Sequence, residues 1–419
     1  MGTVGQSLVK LLRDNAEHIA HQAGRAIVLT RVANRSVPTI DLGDAQFDHD
    51  LLALVAADDV DVVVELIGGE DTALAVAKAS IAAGKSFVTG NKALIAQYGE
   101  QLFSSAAQAK VKLGFEAAVA GGIPILNVLQ ESLSANKINC VAGIINGTAN
   151  YILTSMTQSG ESFENALSKA QSLGYAEADP TFDVGGIDAA HKLTILARLG
   201  LGIPFRFEDI YIEGIADIIT EDLVYAKELG YRVKHLGIAR RSDRGVELRV
   251  HPTLIPEAQL LAQVNGVMNA VLVNGDGSGA TLHFGAGAGG LPTASAVVGD
   301  LIQLAKNGLH LPPQARTDER ILPISEIQSA YYLKIPVLDQ PGVLARLSNL
   351  LSEHFISIEA VIQREGAIRT TDERDWVPIV ILTHRIAEAD MDKALADLQS
   401  LPEVIDQIVR IRVEAHLHE

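Results

Sequence analysis

The sequence predicts an α/β fold: a doubly wound parallel sheet, then an α+β region, then a smaller C-terminal βαββαβ unit. Strand-like and helix-like segments alternate through residues 1–115, the order that produces a parallel sheet. Leu311 to Pro323, with Pro312, Pro313, Pro323 and several charges, has the composition of a linker. Beyond it the segments run strand, helix, strand, strand, helix, strand. The 419 residues, 48% of them hydrophobic, can bury two or three cores. The expected divisions are 1–115, 116–310, a linker at 311–329 and a final domain at 330–419.

Composition narrows the partners. A net charge of −17 and a pI near 5.1 argue against a nucleic-acid or anionic-membrane partner, which needs clustered cations. The single Cys140 can form no intrachain disulfide, and the first residues carry no apolar leader core. Both features point to a reducing cytoplasm. No stretch reaches membrane-spanning length; even the apolar Val60 to Ile67 is short and holds Asp61 and Glu65.

Met1-Gly2-Thr3-Val4-Gly5 reads as the second half of a Gly-x-Gly-x-x-Gly dinucleotide turn, with a helix from Gln6 to about Asn15. Gly2 would allow close approach of a pyrophosphate and Gly5 close packing, with Thr3 and Val4 between them at the helix start. The front half of the motif and its strand are absent, so the expectation is a reading frame that begins upstream of Met1. An ordinary helix cap is the alternative. Ala26 to Ala33, Val60 to Ile67, Ser86 to Thr89 and Val111 to Phe115 are strand-like. Arg35, in Asn34-Arg35-Ser36 after the first of these, favours the 2′-phosphate of NADP over the 2′-hydroxyl of NAD. Thr89-Gly90-Asn91-Lys92 puts Lys92 at the carboxyl edge of the sheet, where open α/β folds bind ligands. A solvated loop lysine is the plainer reading.

Gly174 to Lys192 is the densest ionisable stretch. Asp179-Pro180 and Gly185-Gly186 are turns, and Ile187 to Leu199, free of Gly and Pro, reads as a helix. At ~100° per residue Asp188 and Lys192 share one stripe with Ile195 and Leu199, while His191, Thr194 and Arg198 gather on a separate polar side. An acid and a base facing inward are costly without partners or a polar ligand. A solvated i,i+4 pair is the competing reading. Glu177, Asp179 and Asp183 precede the helix in a loop suited to an ammonium group.

Ala170, Gly174-Tyr175-Ala176, Asp179-Pro180, Asp183-Val184, Gly186, Asp188 and Lys192 together resemble the homoserine dehydrogenase pattern at every position. The resemblance extends over essentially the whole chain. It implies reversible NAD(P)-dependent interconversion of L-aspartate 4-semialdehyde and L-homoserine, on the route to threonine, isoleucine and methionine. For that chemistry Lys192 is the expected proton donor, with Asp188 orienting it and holding the substrate oxygen, and the resemblance places Lys92 near nicotinamide and substrate. Glu177 and Asp183 would take the substrate ammonium. Asn146-Gly147-Thr148-Ala149-Asn150-Tyr151 is similar to a family turn, with Ala149 in place of a threonine, and would offer the Thr148 hydroxyl to a carboxylate. The glycine-rich Gly285 to Gly290 would return residues 285–310 to the nucleotide domain, making Gly287 and Gly289 cofactor contacts alongside Gly174. A monovalent cation, sodium by family habit, would sit on main-chain oxygens of Glu116, Val119, Gly121 and Ile123.

Asp339-Gln340-Pro341-Gly342-Val343-Leu344 resembles the opening of an ACT domain, an amino-acid-binding regulatory module, with threonine as the implied effector. The family implies a homodimer or homotetramer. Two rivals stand beside this reading: another NADP-dependent amino-acid dehydrogenase, and an amino-acid sensor that has lost catalysis.

Overall fold

The computed structural model describes residues 1–364, 369–371 and 374–417. In the N-terminal domain β1 (Arg31–Ala33) pairs in parallel with β2 (Gln46–Asp48). A parallel trio follows, β3 (Val62–Glu65), β4 (Ser86–Thr89) and β5 (Leu113–Gly114). The expected strand over 26–33 is regular only from Arg31, because a ladder needs a partner, and Val28 is 70% exposed. Helix Thr3–Asp14 begins three residues before the expected start at Gln6, so Thr3, Val4 and Gly5 of the supposed turn are already helical, and it buries Leu8 and Val9. Leu8 shares an apolar cluster with Ile19, Val88, Val297 and Leu301, so helix Gly290–Ala305 is packed into the N-terminal domain.

The middle of the chain builds an antiparallel sheet. β6 (Ile138–Ile144), the two-residue β7 (Tyr211–Ile212), β8 (Tyr231–Ser242), β9 (Gly245–Pro256), β10 (Met268–Gly275) and β11 (Gly279–Ala286) are its strands. Their order is β11-β10-β6-β8-β9, with β7 against β9. Sequence reading passed over β8 and β11. β8 hides in the pattern because its lysine, histidine and arginines are not a solvated face: Lys234 and His235 are buried, and Arg241 pairs with Glu319 at 2.6 Å.

The C-terminal unit has the predicted βαββαβ plan. β12 (Gln328–Leu338), helix Val343–Glu353, β13 (Ile358–Ile362), β14 (Arg369–Thr371), β15 (Arg374–Thr383), the short β16 (Ile386–Ala387), helix Glu388–Gln399 and β17 (Val409–Val413) follow in turn. The strands order as β17-β12-β15-β13, with β14 on β15 and β16 on β12.

The two sheets are one. β17 pairs antiparallel with β12 and parallel with β9, where Arg412 and Val413 meet Thr253 and Leu254. Leu254, Tyr225 and Ile152 of the middle region share an apolar cluster with Tyr332, Leu382, Ile411 and Val413. Beside it lies a buried ionic seam in which Glu414 pairs with Arg240 at 2.8 Å and with Arg249. Arg412, wholly buried, pairs with Glu388 and reaches Glu213 at 2.7 Å. Burial opposes ionisation of Glu414, but the two guanidinium groups outweigh it and hold the carboxyl at about 2. Charges this far from water are tolerable only when paired and hydrogen-bonded, and removing one partner is costly.

Candidate active site

Helix Ile187–Gly200 carries the centre, and Gly186 turns the chain into it at φ +89°. A side chain there would meet Ile212, His235 and Val250 at 3.1 to 3.3 Å, so glycine is required by space as well as conformation. Asp188 lies in the first turn, where the helix dipole favours a carboxylate. The stripe assigned to the interior is interior, but so is the side assigned as polar: His191, Thr194 and Arg198 are all buried. The correction has a physical cause. That side faces the N-terminal domain and the segment after helix Gly290–Ala305, where Arg198 donates to Glu100 at 2.6 Å and to the Pro313 carbonyl at 2.7 Å, respectively. His191 stacks on Phe207 with ring centroids 4.4 Å apart. Burial, then the nearby Lys92 charge, lowers its pKa and favours neutral imidazole.

Asp188 gathers the site. Its Oδ2 accepts from Lys192 Nζ at 2.6 Å, and its Oδ1 lies 2.8 Å from Lys92 Nζ. Burial raises the cost of its charge, yet Lys192 and Lys92 outweigh this and hold the carboxyl well below the ordinary range. Lys192 also donates to the Ile145 carbonyl at 2.8 Å. An ammonium has three donors, so one proton of Lys192 is left for a ligand.

Lys92 is brought there by a clasp that the sequence did not reveal. Glu65, buried at the end of β3, accepts from Ile67 N at 2.6 Å, Gly68 N at 3.1 Å and Thr89 Oγ1 at 2.6 Å. Thr89 Oγ1 in turn accepts from Asn91 N at 2.9 Å, and Asn91 caps helix Lys92–Ala109 through Leu94 N at 3.1 Å. Two loops at the carboxyl edge of the sheet are thereby fixed together. The available signal was Glu65, an acid directly after Val62, Val63 and Val64 in an apolar strand.

Asp183 joins through Asn146, whose Nδ2 donates to Asp183 Oδ1 and Asp188 Oδ2, both at 2.8 Å. Burial raises the Asp183 pKa; the Asn146 hydrogen bond opposes this and the Asp188 charge adds to it. The Thr148 hydroxyl is engaged with the Tyr175 carbonyl at 2.6 Å and ties the Gly174–Tyr175 turn to the start of helix Gly147–Ser159. Gly174 has φ +74°. Glu177 lies exposed on the same loop, its carbonyl accepting from Gln171 at 3.1 Å. Sequence reading assigned Asn146 to a turn and missed its two acids, which lie far along the chain.

The residues present fit a dinucleotide. Helix Thr3–Asp14 starts at extended Gly2 with no side-chain cap, leaving its first amides for an anion. A Cβ at Gly5 would crowd Met1 Cγ at 2.8 Å. The glycine-rich turn passes this helix so closely that a Cβ at Gly290 would lie 2.4 Å from Ser7 Oγ. A Cβ at Gly287 would overlap the Asn269 amide at 2.1 Å, and Gly289 has φ +129°. Arg35 is exposed after β1.

Among the described residues no cluster of three His, Cys, Asp or Glu side chains suits a metal. The 116–123 turn offers carbonyls instead: Ala120 and Gly121 have φ +53° and +33°. The carbonyls of Glu116 and Ile123 accept from Val119 N at 3.4 Å and Ile125 N at 2.7 Å. The Glu116 side chain is spent on Leu126 N and Asn127 N, at 2.9 and 2.8 Å, and burial pushes its pKa to about 7.

A buried carboxylate between two ammonium groups, beside a second carboxylate and a helix start, can hold a zwitterion and deliver a proton to an oxygen. The comparisons agree with such chemistry. Residues 124–302 match the homoserine dehydrogenase family, residues 1–116 its NAD-binding domain, and residues 331–403 the ACT domain. A homoserine dehydrogenase of Pseudomonas aeruginosa is 50% identical over 426 residues, covering 99% of this chain and 97% of that protein. The crystal structure of one from Thiobacillus denitrificans superposes with a TM-score of 0.92 at 47% identity, over 99% of this chain and 96% of that one. A Staphylococcus aureus homoserine dehydrogenase structure superposes with a TM-score of 0.75 at 29% identity, over 99% and 96%.

Proposed function

Since the chain belongs to the homoserine dehydrogenase family, we propose that it interconverts L-aspartate 4-semialdehyde and L-homoserine in threonine, methionine and isoleucine biosynthesis, with Lys192 as the proton donor. The convergence of Lys192, Asp188 and Lys92 carries this reading. A bound nicotinamide supplies or accepts the hydride. As negative charge develops on the aldehyde oxygen, the third donor of Lys192 delivers a proton, and Lys92 adds positive potential from the other domain. Asp188 pairs with both ammonium groups and aims them. Asp183 and Glu177 take the substrate ammonium by charge-assisted hydrogen bonds. The start of helix Gly147–Ser159 receives the carboxylate, and Thr148 steadies the loop that carries Glu177.

Gly2, Thr3, Val4, Gly5, Gly174, Gly287 and Gly289 would contact the dinucleotide, and Arg35 supports a preference for NADP with NAD also accepted. A monovalent cation, sodium foremost, would take the carbonyls of Glu116, Val119, Gly121 and Ile123. The protein acts in the cytoplasm as a homodimer or homotetramer. Assaying homoserine oxidation with NADP and with NAD tests the function; no turnover with either cofactor rejects it.

Threonine is the proposed effector, bound where Asp339 to Leu344 opens a helix at Gly342. A physical route supports coupling. Arg412 of β17 meets Glu213 at 2.7 Å, and two residues on, Ile215 N donates to the Val184 carbonyl at 2.9 Å, just ahead of Gly186 and Asp188.

A further inference from the structure

Asn146 touches both acids of the centre, and this arrangement has a purpose beyond capping a helix. Its Oδ1 accepts from Ala149 N at 2.7 Å and caps helix Gly147–Ser159. Its Nδ2 spends both protons on carboxylates, one to Asp183 and one to Asp188, at 2.8 Å each. Those contacts fix the amide orientation, since a flipped amide would set a carbonyl against two anions. Asn146 is only 4% exposed.

We infer that Asn146 is a positioning residue that clamps Asp183 to Asp188, so that the ammonium-binding acid and the lysine-orienting acid stay together and ionised. The inference rests on the activity proposed above. Two carboxylates this close repel, and in a water-poor site one of them takes up a proton unless cations or hydrogen bonds hold it charged. The cations available are unequal. Lys192 and Lys92 both contact Asp188 directly, at 2.6 and 2.8 Å, and act on Asp183 only through space. His191 and His235, the other titratable groups close to Asp188, are both shifted towards the neutral form, first of all by burial. Asn146 therefore supplies the direct hydrogen bond that favours the Asp183 carboxylate.

Capping and clamping can be separated by substitution. Serine and aspartate both cap helices well, but Asn146→Ser loses the clamp without adding charge, and Asn146→Asp replaces the donor by a third carboxylate. With the full chain, Asn146→Ser is expected to melt cooperatively and somewhat below wild type, because two buried carboxylates each lose a hydrogen bond while the cap is kept. Its kcat/KM for homoserine should fall about tenfold at neutral pH, and the acid limb of its pH profile should move up by roughly one pH unit, because Asp183 takes a proton more readily. Asn146→Asp should shift the limb further. It should also melt below Asn146→Ser by a margin that widens as pH rises above the carboxylate range. A pH profile for Asn146→Ser that superimposes on wild type, or a melting difference between the two variants that is flat with pH, overturns the clamp and leaves a simple cap. Absence of homoserine turnover in the wild type would reject the proposed activity, while the melting comparison would still judge the clamp.

Discussion

Lys92 Nζ lies 2.8 Å from Asp188 Oδ1, so the start of a helix in the nucleotide domain and a helix of the central domain meet in one ion pair. The second lysine on that carboxylate, Lys192, comes from the same helix as Asp188. The two ammonium groups are thus supplied by different domains, and their spacing reports how the domains sit. Lys192→Ala is expected to lower kcat by about a hundredfold or more, the scale of a general acid. Lys92→Ala should lower kcat less and weaken cofactor-dependent steps as well. Steady-state kinetics check both, and near-wild-type turnover of Lys192→Ala would remove it from the mechanism.

Glu177 sits exposed on a loop tied down by Thr148 and Gln171. A residue that only binds the substrate ammonium acts equally on ground and transition states. Glu177→Gln should therefore raise the homoserine KM with little change in kcat. A loss confined to kcat would count against that role.

Glu414 gives an acid-stability test. Its carboxyl is held at about 2, below an ordinary 4.5, so its contribution to stability is complete above about pH 5 and disappears as pH falls towards 2. Glu414→Gln should cost on the order of 3 kcal/mol at neutral pH. The gap from wild type should narrow steadily below pH 4 in denaturant titrations. A gap that does not change with pH would mean that charge pairing contributes little there.

Threonine should inhibit homoserine oxidation by the full chain, and Glu213→Gln should weaken that response by loosening the Arg412 contact. Coupling of ~1–3 kcal/mol corresponds to a roughly 5- to 150-fold change in apparent affinity. Inhibition curves for the two proteins decide the matter; an unresponsive full chain would end the regulatory reading. Cutting the chain near Pro323 is a poor substitute. That cut also removes β17, the parallel neighbour of β9, and Glu414, the partner of buried Arg249.

Much of this centre was legible because its core is local. Asp188 and Lys192 are one helical turn apart, and their stripe could be read from spacing alone. Asn146 could not be read that way: its partners are 37 and 42 residues distant, and nothing in Asn-Gly distinguishes a turn from a clamp. Arg198 and His191 misled because helical periodicity separates polar from apolar sides and is blind to a second domain covering the polar one. The βαββαβ plan was clear from its segment order, whereas β8 was obscured by basic residues whose partners come together only in three dimensions. Lys234, for one, is satisfied by the Val264 carbonyl and by the side chains of Asn150 and Asn265.

The strand β17 bears on how the molecule is made. β9 leaves the ribosome long before β17, and during that interval its edge at Thr253 and Leu254 is unpaired and the Arg249 guanidinium lacks Glu414. Closure of this edge therefore waits for the end of synthesis, a long-range pairing of the kind that is slow and exposed to misassociation. A growing chain stalled before residue 409 should engage chaperones and be cleaved readily near β9, and release of the last strand should end both at once.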